Sequence, residues 1–410
     1  MTQQRPPLRP LDDALLELLA HARLLAGTDS VATFDADGRV LAEDLVSPLQ
    51  VPPQDNRSMD GYAVRSAEIP DDGGVPLTVS QRIPAGAAPQ PLQPGTAARI
   101  FTGANVPQGA DAIVMQEETE PLPDDRVRIL CVPAPGQWIR RSGEDITRGS
   151  TVLERGTRIG PAAQGLAASI GRDRLQVAPR PRVALFSTGD ELVMPGDVAP
   201  EAMRPGAIYN SNRFFLRSLL ARLGCEVQDL GIVPDRRDAT IEALRTAAAS
   251  NDLILTSGGV SVGEEDHIKP AVQELGSLDL WQIAMKPGKP FAYGTVGQAH
   301  FIGLPGNPVS SFVTFLLLVR PFLLKLQGAT QLLPTAVQLP AHFDWPRPDK
   351  RREFLRARRD AAGGVELFAN QSSGVLTSTV WADGLVDVPA GSTIKSGDLV
   401  RFLPLAELLA

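Results

Sequence analysis

The chain has 410 residues, 43% of them hydrophobic and 21% charged, and a formal net charge of −7 at pH 7. This length predicts about two to four domains, the composition is that of a soluble globular protein, and the negative charge argues against a surface built mainly to bind nucleic acid. With two distant cysteines and four scattered histidines, the sequence shows neither a disulfide framework nor a zinc or histidine-rich metal site.

The sequence offers no apolar stretch that looks long and charge-free enough to span a bilayer. Residues 1–10 are polar and rich in proline, without the apolar core of a signal peptide. We therefore expect a cytoplasmic protein that does not cross a membrane.

The first part of the chain changes from a helical to a strand-like pattern. Residues 11–25 have the apolar spacing of an amphipathic helix, and Gly27 follows it. Residues 46–181 consist mostly of short apolar runs divided by Pro and Gly, which predicts strands and turns apart from a helix over 164–170.

Three polar segments stand out within this β-rich part. They are residues 52–63 with Asp60, residues 99–104 with Thr102, and the charged loop 140–145 with Asp145. Asp, Thr and Gly are also the usual residues of turns, so each segment taken singly fits an ordinary surface turn at least as well as a site.

From Arg182 onward the pattern becomes a regular alternation of strands and helices. Strands are predicted over 183–186, 227–233, 253–256 and 301–304. Helices are predicted after the cap Asn210-Ser211, over 239–249 after the cap Asp238, and over 309–326. Such alternation predicts a central doubly wound α/β domain with a parallel sheet.

Residues 252–266 combine a buried strand, a glycine-rich turn and the approach to a helix that ends near Leu275. A turn of this kind presents backbone N–H groups to an anion. Asp266 lies beside it, and a carboxylate next to an anion is unfavourable unless a cation or a reaction explains it. The combination suggests a metal-assisted site for a phosphorylated substrate.

Other polar residues are expected at the same edge of the sheet. Glu191, Asp235 and Asp266 each follow the carboxyl end of a successive predicted strand, and in an open parallel sheet these ends share one rim where ligands bind.

Two proline-rich turns join this rim. Lys286-Pro-Gly-Lys-Pro290 would hold two cations on a stiff turn, and the two X-Pro bonds of Pro305-Gly-Asn-Pro308 are candidates for a fixed loop shape. A rigid connector beneath a core helix explains the prolines equally well. It does not explain the lysines.

The last part of the chain again has short strands, over 337–339, 354–357, 365–368 and 399–402, which predict a small C-terminal β-barrel or sandwich. The basic residues within 347–359 fit a solvated face. Arg352 or Arg356 could instead reach an oxyanion.

Seven motifs together carry a family resemblance. They are Asp55-Asn-Arg-Ser-Met-Asp-Gly-Tyr-Ala63, Phe101-Thr-Gly-Ala104, Gly143-Glu-Asp145, Ser187-Thr-Gly-Asp-Glu-Leu192, Ser257-Gly-Gly-Val-Ser-Val-Gly263, Lys286-Pro-Gly-Lys-Pro290 and Gly303-Leu-Pro-Gly-Asn-Pro-Val-Ser310. With these motifs in this order, the chain resembles the molybdopterin molybdenumtransferase family, which includes MoeA and the E domain of gephyrin. The basic C-terminal part matches least well.

The resemblance implies a multidomain α/β plus β fold in an elongated homodimer with an active site shared between subunits. Its four domains would be residues 1–47 with 148–180, the β-rich 48–147, the molybdopterin-binding 181–328 and the barrel 329–410. The implied reaction takes adenylylated molybdopterin and molybdate, uses Mg²⁺ or a similar divalent cation, and yields molybdenum cofactor and AMP. Transient contacts with the molybdopterin adenylyltransferase and with molybdoenzyme apoproteins are also implied.

Matching the family's motifs residue by residue gives a candidate site. The catalytic set is Asp60, Thr102, Asp145, Glu191, Asp235, Asp266 and Lys286. The set binding substrate or molybdate is Ser257, Gly258, Gly259, Ser261, Gly263, Lys289, Pro290, Pro305, Pro308 and Arg356. The metal ligands would be Glu191, Asp235 and Asp266. Family members often carry a basic residue where this chain has Gln282.

Three alternatives remain open on the sequence. An adenylyltransferase would usually be a shorter chain resembling only residues 182–328. A scaffold module would have a long linker and a fused second domain. A generic metal-dependent phosphohydrolase would release AMP without any need for molybdate.

Overall fold

The computed structural model describes residues 8–259 and 267–409. The N-terminal part contains helix α1 (Leu11–His21) and strands β1 (Asp29–Ala32) and β2 (Leu45–Val46). Helix α1 is shorter than the predicted 11–25, because Ala22 already has an extended backbone. Its apolar face packs into the largest hydrophobic cluster of the protein, which is centred on the α/β part.

The β-rich part is a six-stranded sheet in the order β7-β4-β6-β5-β9-β8, with a separate pair of β3 and β10. Its strands are β3 (Asn56–Arg57), β4 (Gly61–Val64), β5 (Pro76–Ile83), β6 (Thr96–Ile100), β7 (Ala112–Met115), β8 (Thr119–Leu122), β9 (Arg126–Ile129) and β10 (Ile139–Arg140). Alternate residues of β4 enter different hydrophobic clusters, Tyr62 and Val64 in one and Ala63 in the other. Both faces of this sheet are therefore covered.

The chain then returns to its first part. Strand β11 (Thr151–Leu153) pairs with β2, and after helix α2 (Pro161–Ser169) strand β12 (Arg174–Val177) pairs antiparallel with β1. Helix α2 begins three residues before the predicted 164, since Pro161 suits a first helical position. Residues from both sides of the β-rich part thus share one small core.

The α/β part is built on a six-stranded sheet in the order β16-β13-β17-β21-β20-β18. Its elements are β13 (Arg182–Thr188), β14 (Leu192–Val193), β15 (Ile208–Tyr209), α3 (Ser211–Arg222), β16 (Glu226–Val233), α4 (Arg237–Ser250), β17 (Leu253–Ser257), α5 (Ile268–Leu275), β18 (Gly276–Gln282), β19 (Met285–Lys286), β20 (Pro290–Val296) and β21 (Ala299–Leu304). The first four strands of the sheet are parallel, as predicted. Strand β20 runs antiparallel to both of its neighbours, β21 and β18, which makes the sheet mixed rather than wholly parallel.

Helices cover both faces of this sheet. Val183 and Leu185 of β13 enter the cluster that contains α3, whereas Ala184 and Phe186 enter the cluster that contains α4 and α5. The alternation follows from the two-residue period of a strand, and it confirms the doubly wound fold.

The start of α4 differs from the prediction. The helix begins at Arg237 after Arg236, so Asp238 lies in the first turn and does not cap the helix. A carboxylate in the first turn is still stabilised by the positive end of the helix dipole.

The apolar helix after β21 is continuous over Pro308–Leu326 and consists of α6 (Pro308–Thr314), a π-helical stretch (Phe315–Val319) and α7 (Arg320–Leu326). By length and composition it could cross a membrane, contrary to the sequence-based expectation, but 94% of its most apolar window is buried inside the protein. It is therefore a core helix.

The C-terminal part contains β22 (Val337–Pro340), β23 (Arg352–Arg359), β24 (Val365–Leu367), α8 (Thr377–Trp381), β25 (Gly384–Val388), β26 (Leu399–Pro404) and α9 (Leu405–Leu409). The sheet runs β19-β23-β25-β26-β22, with β24 beside β23. A bridge between Ala341 and Val365 brings β22 to β24 and closes the sheet into the predicted small barrel. Strand β19 also ties the α/β part to this barrel.

Candidate functional site

A cleft of about 640 Å³ lies at the carboxyl edge of the α/β sheet. Parallel strands β13, β17 and β21 end at this edge, and loops from the α/β part and the barrel line it. The lining residues are Thr188, Glu191, Leu192, Ile208, Tyr209, Asn210, Ser211, Asn212, Ser257, Gly258, Pro290, Pro305, Gly306, Asn307, Pro308, Ser310, Gly374 and Leu376. The predicted residues Glu191, Ser257, Gly258, Pro290, Pro305 and Pro308 are thus brought together.

Helix α3 points its N-terminus into the cleft. Asn210 caps the helix, with its side-chain oxygen accepting a bond from the N–H of Arg213 at 3.3 Å. The first-turn residues Ser211 and Asn212 line the cleft, and first-turn N–H groups have no acceptor within their own helix. This end of the helix favours a negatively charged ligand.

Asn212 joins two of the cleft's loops. Its side chain is only 8% exposed, and its Nδ2 donates to Ser257 Oγ and to the carbonyl of Gly306, both at 2.7 Å. The turn after β17 and the loop before α6 are therefore held in a fixed relation by a single amide.

The glycine-rich turn begins at the end of β17. Gly258 donates its N–H to Leu304 O at 3.1 Å, and Gly258 and Gly259 have φ of +93° and +68°. Glycine is favoured at such angles. The predicted residues Ser261, Gly263 and Asp266 lie outside the described residues.

The predicted acidic residues follow neighbouring strands. Glu191 follows β13 and lines the cleft, while Asp235 follows the adjacent edge strand β16, is half-buried, and is not among the lining residues. Within residues 8–259 and 267–409, no three His, Cys, Asp or Glu side chains come together as a metal site.

The two predicted lysines have different surroundings. Lys286 Nζ lies 2.8 Å from Glu353 Oε1 and 3.6 Å from Asp349 Oδ2, so it joins the α/β part to the barrel. Lys289 is half-buried and, in the described part of the chain, forms no ion pair. Lys289 is therefore the more available cation for an anionic ligand.

The predicted proline turns differ in their X-Pro peptide bonds. Cis peptide bonds precede Pro52 and Pro287, whereas those preceding Pro305 and Pro308 are trans.

Arg356 supports the cleft from behind and does not line it. Its side chain is 1% exposed, and its guanidinium donates to Ser378 Oγ at 3.1 Å and to the carbonyls of Phe354 and Ser372. Burial lowers its pKa to about 10. These bonds hold the segment that contains the lining residues Gly374 and Leu376.

Arg352, the other arginine considered for an oxyanion, is ion-paired. It donates two bonds of 2.6 Å to Asp387 and one of 2.9 Å to Asp12. This pairing holds the barrel against α1.

The three polar segments of the β-rich part meet in a second group. Asp60 Oδ1 accepts bonds from the N–H of Thr102 at 2.8 Å and from its hydroxyl at 2.7 Å. These two bonds, chiefly the one from the hydroxyl, hold the pKa of Asp60 below its usual range. Asp55 accepts bonds of 2.7 Å from Ser142 N–H and from Arg141, which attaches the loop 140–145.

Arg57 lies at the centre of this group. Its side chain is completely buried, Nη1 donates to Ile100 O, and Nε and Nη2 have no partner in the described part of the chain. Burial lowers its pKa to about 10, and the charge of Asp60 opposes this shift. Arg57 thus places a buried positive charge behind the Asp60 and Thr102 pair.

Asp145 is exposed at the edge of the same group, and its N–H donates to Val51 O at 3.0 Å. No residue of 48–147 is among the described residues that line the α/β cleft. A single chain therefore presents the predicted site as two separate halves.

Sequence reasoning missed Asn212 and Arg57. Asn212 follows the predicted helix cap directly, so its position in the first turn could have indicated it. Arg57 lies inside a motif that the sequence analysis named, but an arginine in a polar turn gives no sign of burial.

Comparison with family models covers most of the chain. Residues 9–171 match the MoeA N-terminal region (domain I and II), residues 184–325 a probable molybdopterin binding domain, and residues 338–405 the MoeA C-terminal region (domain IV).

Similar proteins match along nearly their whole length. A molybdopterin molybdenumtransferase of Haemophilus influenzae is 42% identical, covering 97% of this chain and 99% of its own. One from Bacillus subtilis is 32% identical, covering 99% and 96%. The crystal structure of a molybdopterin biosynthesis moeA protein from Pyrococcus horikoshii superposes with a TM-score of 0.83 at 29% identity, covering 97% of this chain and 100% of that one.

Proposed function

Because the chain belongs to the molybdopterin molybdenumtransferase (MoeA) family, we propose that it transfers molybdenum from molybdate into adenylylated molybdopterin. The products are molybdenum cofactor and AMP. The enzyme works in the cytoplasm, and the burial of the helix Pro308–Leu326 supports a soluble protein.

The observation that carries this proposal is the cleft at the carboxyl edge of the α/β sheet. The N-terminus of α3 and the turn at Ser257 and Gly258 meet there, and Asn212 fixes their geometry. Helix N-termini and glycine turns bind phosphate groups. We place the phosphates of the substrate in this cleft, held also by Gly259, Ser261 and Gly263.

The divalent cation belongs at the acidic side of the same edge. Mg²⁺ binds through one or two carboxylates together with substrate phosphates and water, so it needs no cage of three protein ligands. Glu191, Asp235 and Asp266 supply the carboxylates. When bound, the ion neutralises charge on the phosphoanhydride that is broken.

The lysine turn supplies positive charge for the oxyanion. We assign molybdate or the adenylate phosphate to Lys289, which has no ion pair in the described chain, beside Pro290, Pro305 and Pro308 of the lining. Lys286 contributes from its position between Asp349 and Glu353. Arg356 shapes the cleft through the segment that contains Ser372 and Ser378.

Asp60, Thr102 and Asp145 complete the site from a partner subunit in a homodimer. The separation of the two halves within one chain supports this arrangement, because the α/β cleft has no described lining residue from 48–147. The proposed domains are 1–47 with 148–180, 48–147, 181–328 and 329–410, and the pairing of β1 with β12 supports the first of them.

The test is AMP release from adenylylated molybdopterin by the purified protein with Mg²⁺, with and without molybdate, while molybdenum bound to pterin is measured. We expect molybdate-dependent AMP release matched by metal insertion. AMP release that is indifferent to molybdate would instead indicate a hydrolase. No reaction would contradict an enzymatic role.

A further inference from the structure

A second cavity, of about 430 Å³, lies beside α7, the last part of the core helix. It is formed where the turn Gly156-Thr157-Arg158, the helix α7, the segment 329–335 and the C-terminal helix α9 meet. None of its lining residues belongs to the proposed catalytic cleft.

Arg320 forms the buried wall of this cavity. Its side chain is 7% exposed, Nη1 donates to Leu332 O at 3.0 Å, and Nη2 donates to Glu407 O at 2.8 Å. The buried Nε has no hydrogen-bond partner in the described chain. The hydrogen bonds of this buried guanidinium go only to neutral carbonyls, so its desolvation is offset only in part, by the charge of Glu407.

Arg158 also lines the cavity, in the turn that contains Gly156 and Thr157. It donates to Gly38 O at 3.3 Å and to Arg222 O at 2.9 Å. Burial lowers the pKa of both arginines, that of Arg320 to about 10, and the charge of Arg158 adds to the shift of Arg320. Both arginines line the same cavity, and the charge of Glu407 acts on the pKa of Arg320 in the opposite direction.

The positive charge of the two arginines is only partly balanced by acidic residues of the cavity. Glu407 Oε2 accepts a bond from Thr335 N–H at 2.7 Å. Within the described residues, neither Arg158 nor Arg320 lies within ion-pair distance of a carboxylate. Arg158, Arg320 and Glu407 all line the cavity, so two positive residues and one negative residue border the same space.

We propose that this cavity binds a small tetrahedral oxyanion of the phosphate or molybdate type between Arg158 and Arg320. Guanidinium groups hold such ions through paired, charge-assisted hydrogen bonds. The polar residues Thr157, Thr330 and Gln331 also line the cavity. Because the walls come from three parts of the chain, a bound anion fastens the N-terminal part, the α/β part and the barrel together.

The experiment is equilibrium dialysis of the full chain against radiolabelled phosphate and, separately, radiolabelled molybdate at constant ionic strength. Arg158→Gln removes one cation of the cavity, and Glu407→Gln removes the opposing carboxylate while keeping an oxygen for Thr335. Arg155→Gln is the matched control, because Arg155 is exposed and does not line the cavity.

We expect Arg158→Gln to weaken one class of anion sites by roughly tenfold or more, Glu407→Gln to strengthen the same class, and Arg155→Gln to change neither. The anion that binds to this class of sites with the higher affinity, phosphate or molybdate, is the preferred ligand. If Glu407→Gln binds both anions as the unchanged protein does, the proposal is wrong, whatever the folding of Arg158→Gln. If the anions bind only in the proposed catalytic cleft, Glu407→Gln will likewise bind them as the unchanged protein does, and the proposal is again contradicted.

Discussion

One carboxylate oxygen of Asp60 accepts two hydrogen bonds from a single residue, Thr102, through its backbone N–H and its hydroxyl. The two residues are 42 positions apart in the sequence. Both were predicted to belong to the site. Their contact fixes the orientation of the Asp60 carboxylate, which in the proposed homodimer faces the α/β cleft of the partner subunit.

Thr102→Val removes the hydroxyl donor and keeps the shape of the side chain. We expect turnover at neutral pH to fall by about tenfold, because the carboxylate loses a bond that orients it. Thr102→Ser keeps the hydroxyl and is the matched control. Equal activity of the valine and serine variants would mean that this bond has no role in turnover.

The same substitution changes the titration of Asp60. The folded-state pKa of Asp60 is lowered, chiefly by the Thr102 hydroxyl. Its contribution to stability is therefore present above the unfolded-state pKa and is lost as the pH falls through the folded-state value. In Thr102→Val the folded-state pKa rises, so this loss begins at higher pH. Carbon NMR titration of the Asp60 carboxyl group measures the shift.

The two lysines of the 286–290 turn should respond differently to replacement by methionine. Lys286→Met leaves the 2% exposed Glu353 without its cation, and we expect a loss of about 1–2 kcal/mol in the free energy of unfolding, moderated by the partial exposure of Lys286. Lys289→Met should leave stability nearly unchanged and lower activity strongly. Denaturant titration and the AMP-release assay separate the effects, and a fully active Lys289→Met enzyme would exclude its proposed role.

Gly258 and Gly306 offer a matched pair within the cleft. Gly258 has φ of +93°, and a Cβ there would lie 3.0 Å from Thr188 O, whereas Gly306 has no positive φ and no atom within 4 Å of its Cβ position. We expect Gly258→Ala to cost about 1–2 kcal/mol and to weaken substrate binding. Gly306→Ala should be tolerated in both respects. Calorimetric binding of AMP compares the two, and identical affinities would remove the turn from the proposed phosphate site.

Asn212→Asp tests the negative ligand that the cleft is proposed to bind. The substitution keeps the size of the side chain but places a carboxylate beside Ser257 and the Gly306 carbonyl. Charge repulsion should weaken AMP binding, and the effect should decrease at high salt. Asn212→Ala adds no charge and serves as the comparison. Equal AMP affinities of the two variants would indicate that the ligand's phosphate lies elsewhere.

A mixing experiment tests the proposed shared site. In a dimer formed from one Asp60→Asn chain and one Asp266→Asn chain, one site carries both substitutions and the other carries neither. Random mixing of equal amounts should therefore restore about one quarter of the normal activity, although each variant alone is inactive. No recovery after unfolding and joint refolding would argue that each site is built within one chain.

The sequence by itself determined the main strands and helices of the α/β part and their order along the chain. Regular periodicity located β13, α3, β16 and β17, and the rule that parallel strands end at one edge predicted that Glu191 and Gly258 would meet. These features follow from local hydrogen bonding and from burial of apolar side chains, which leave a visible pattern.

Only the tertiary structure decided which polar group meets which. The partners of Lys286 and Arg356 come from the barrel, and Asn212 reaches two loops that are far away in sequence. The buried charges of Arg57 and Arg320 depend on walls contributed by distant segments. Polar partners are chosen by long-range geometry and desolvation, and neither leaves a periodic trace in the sequence.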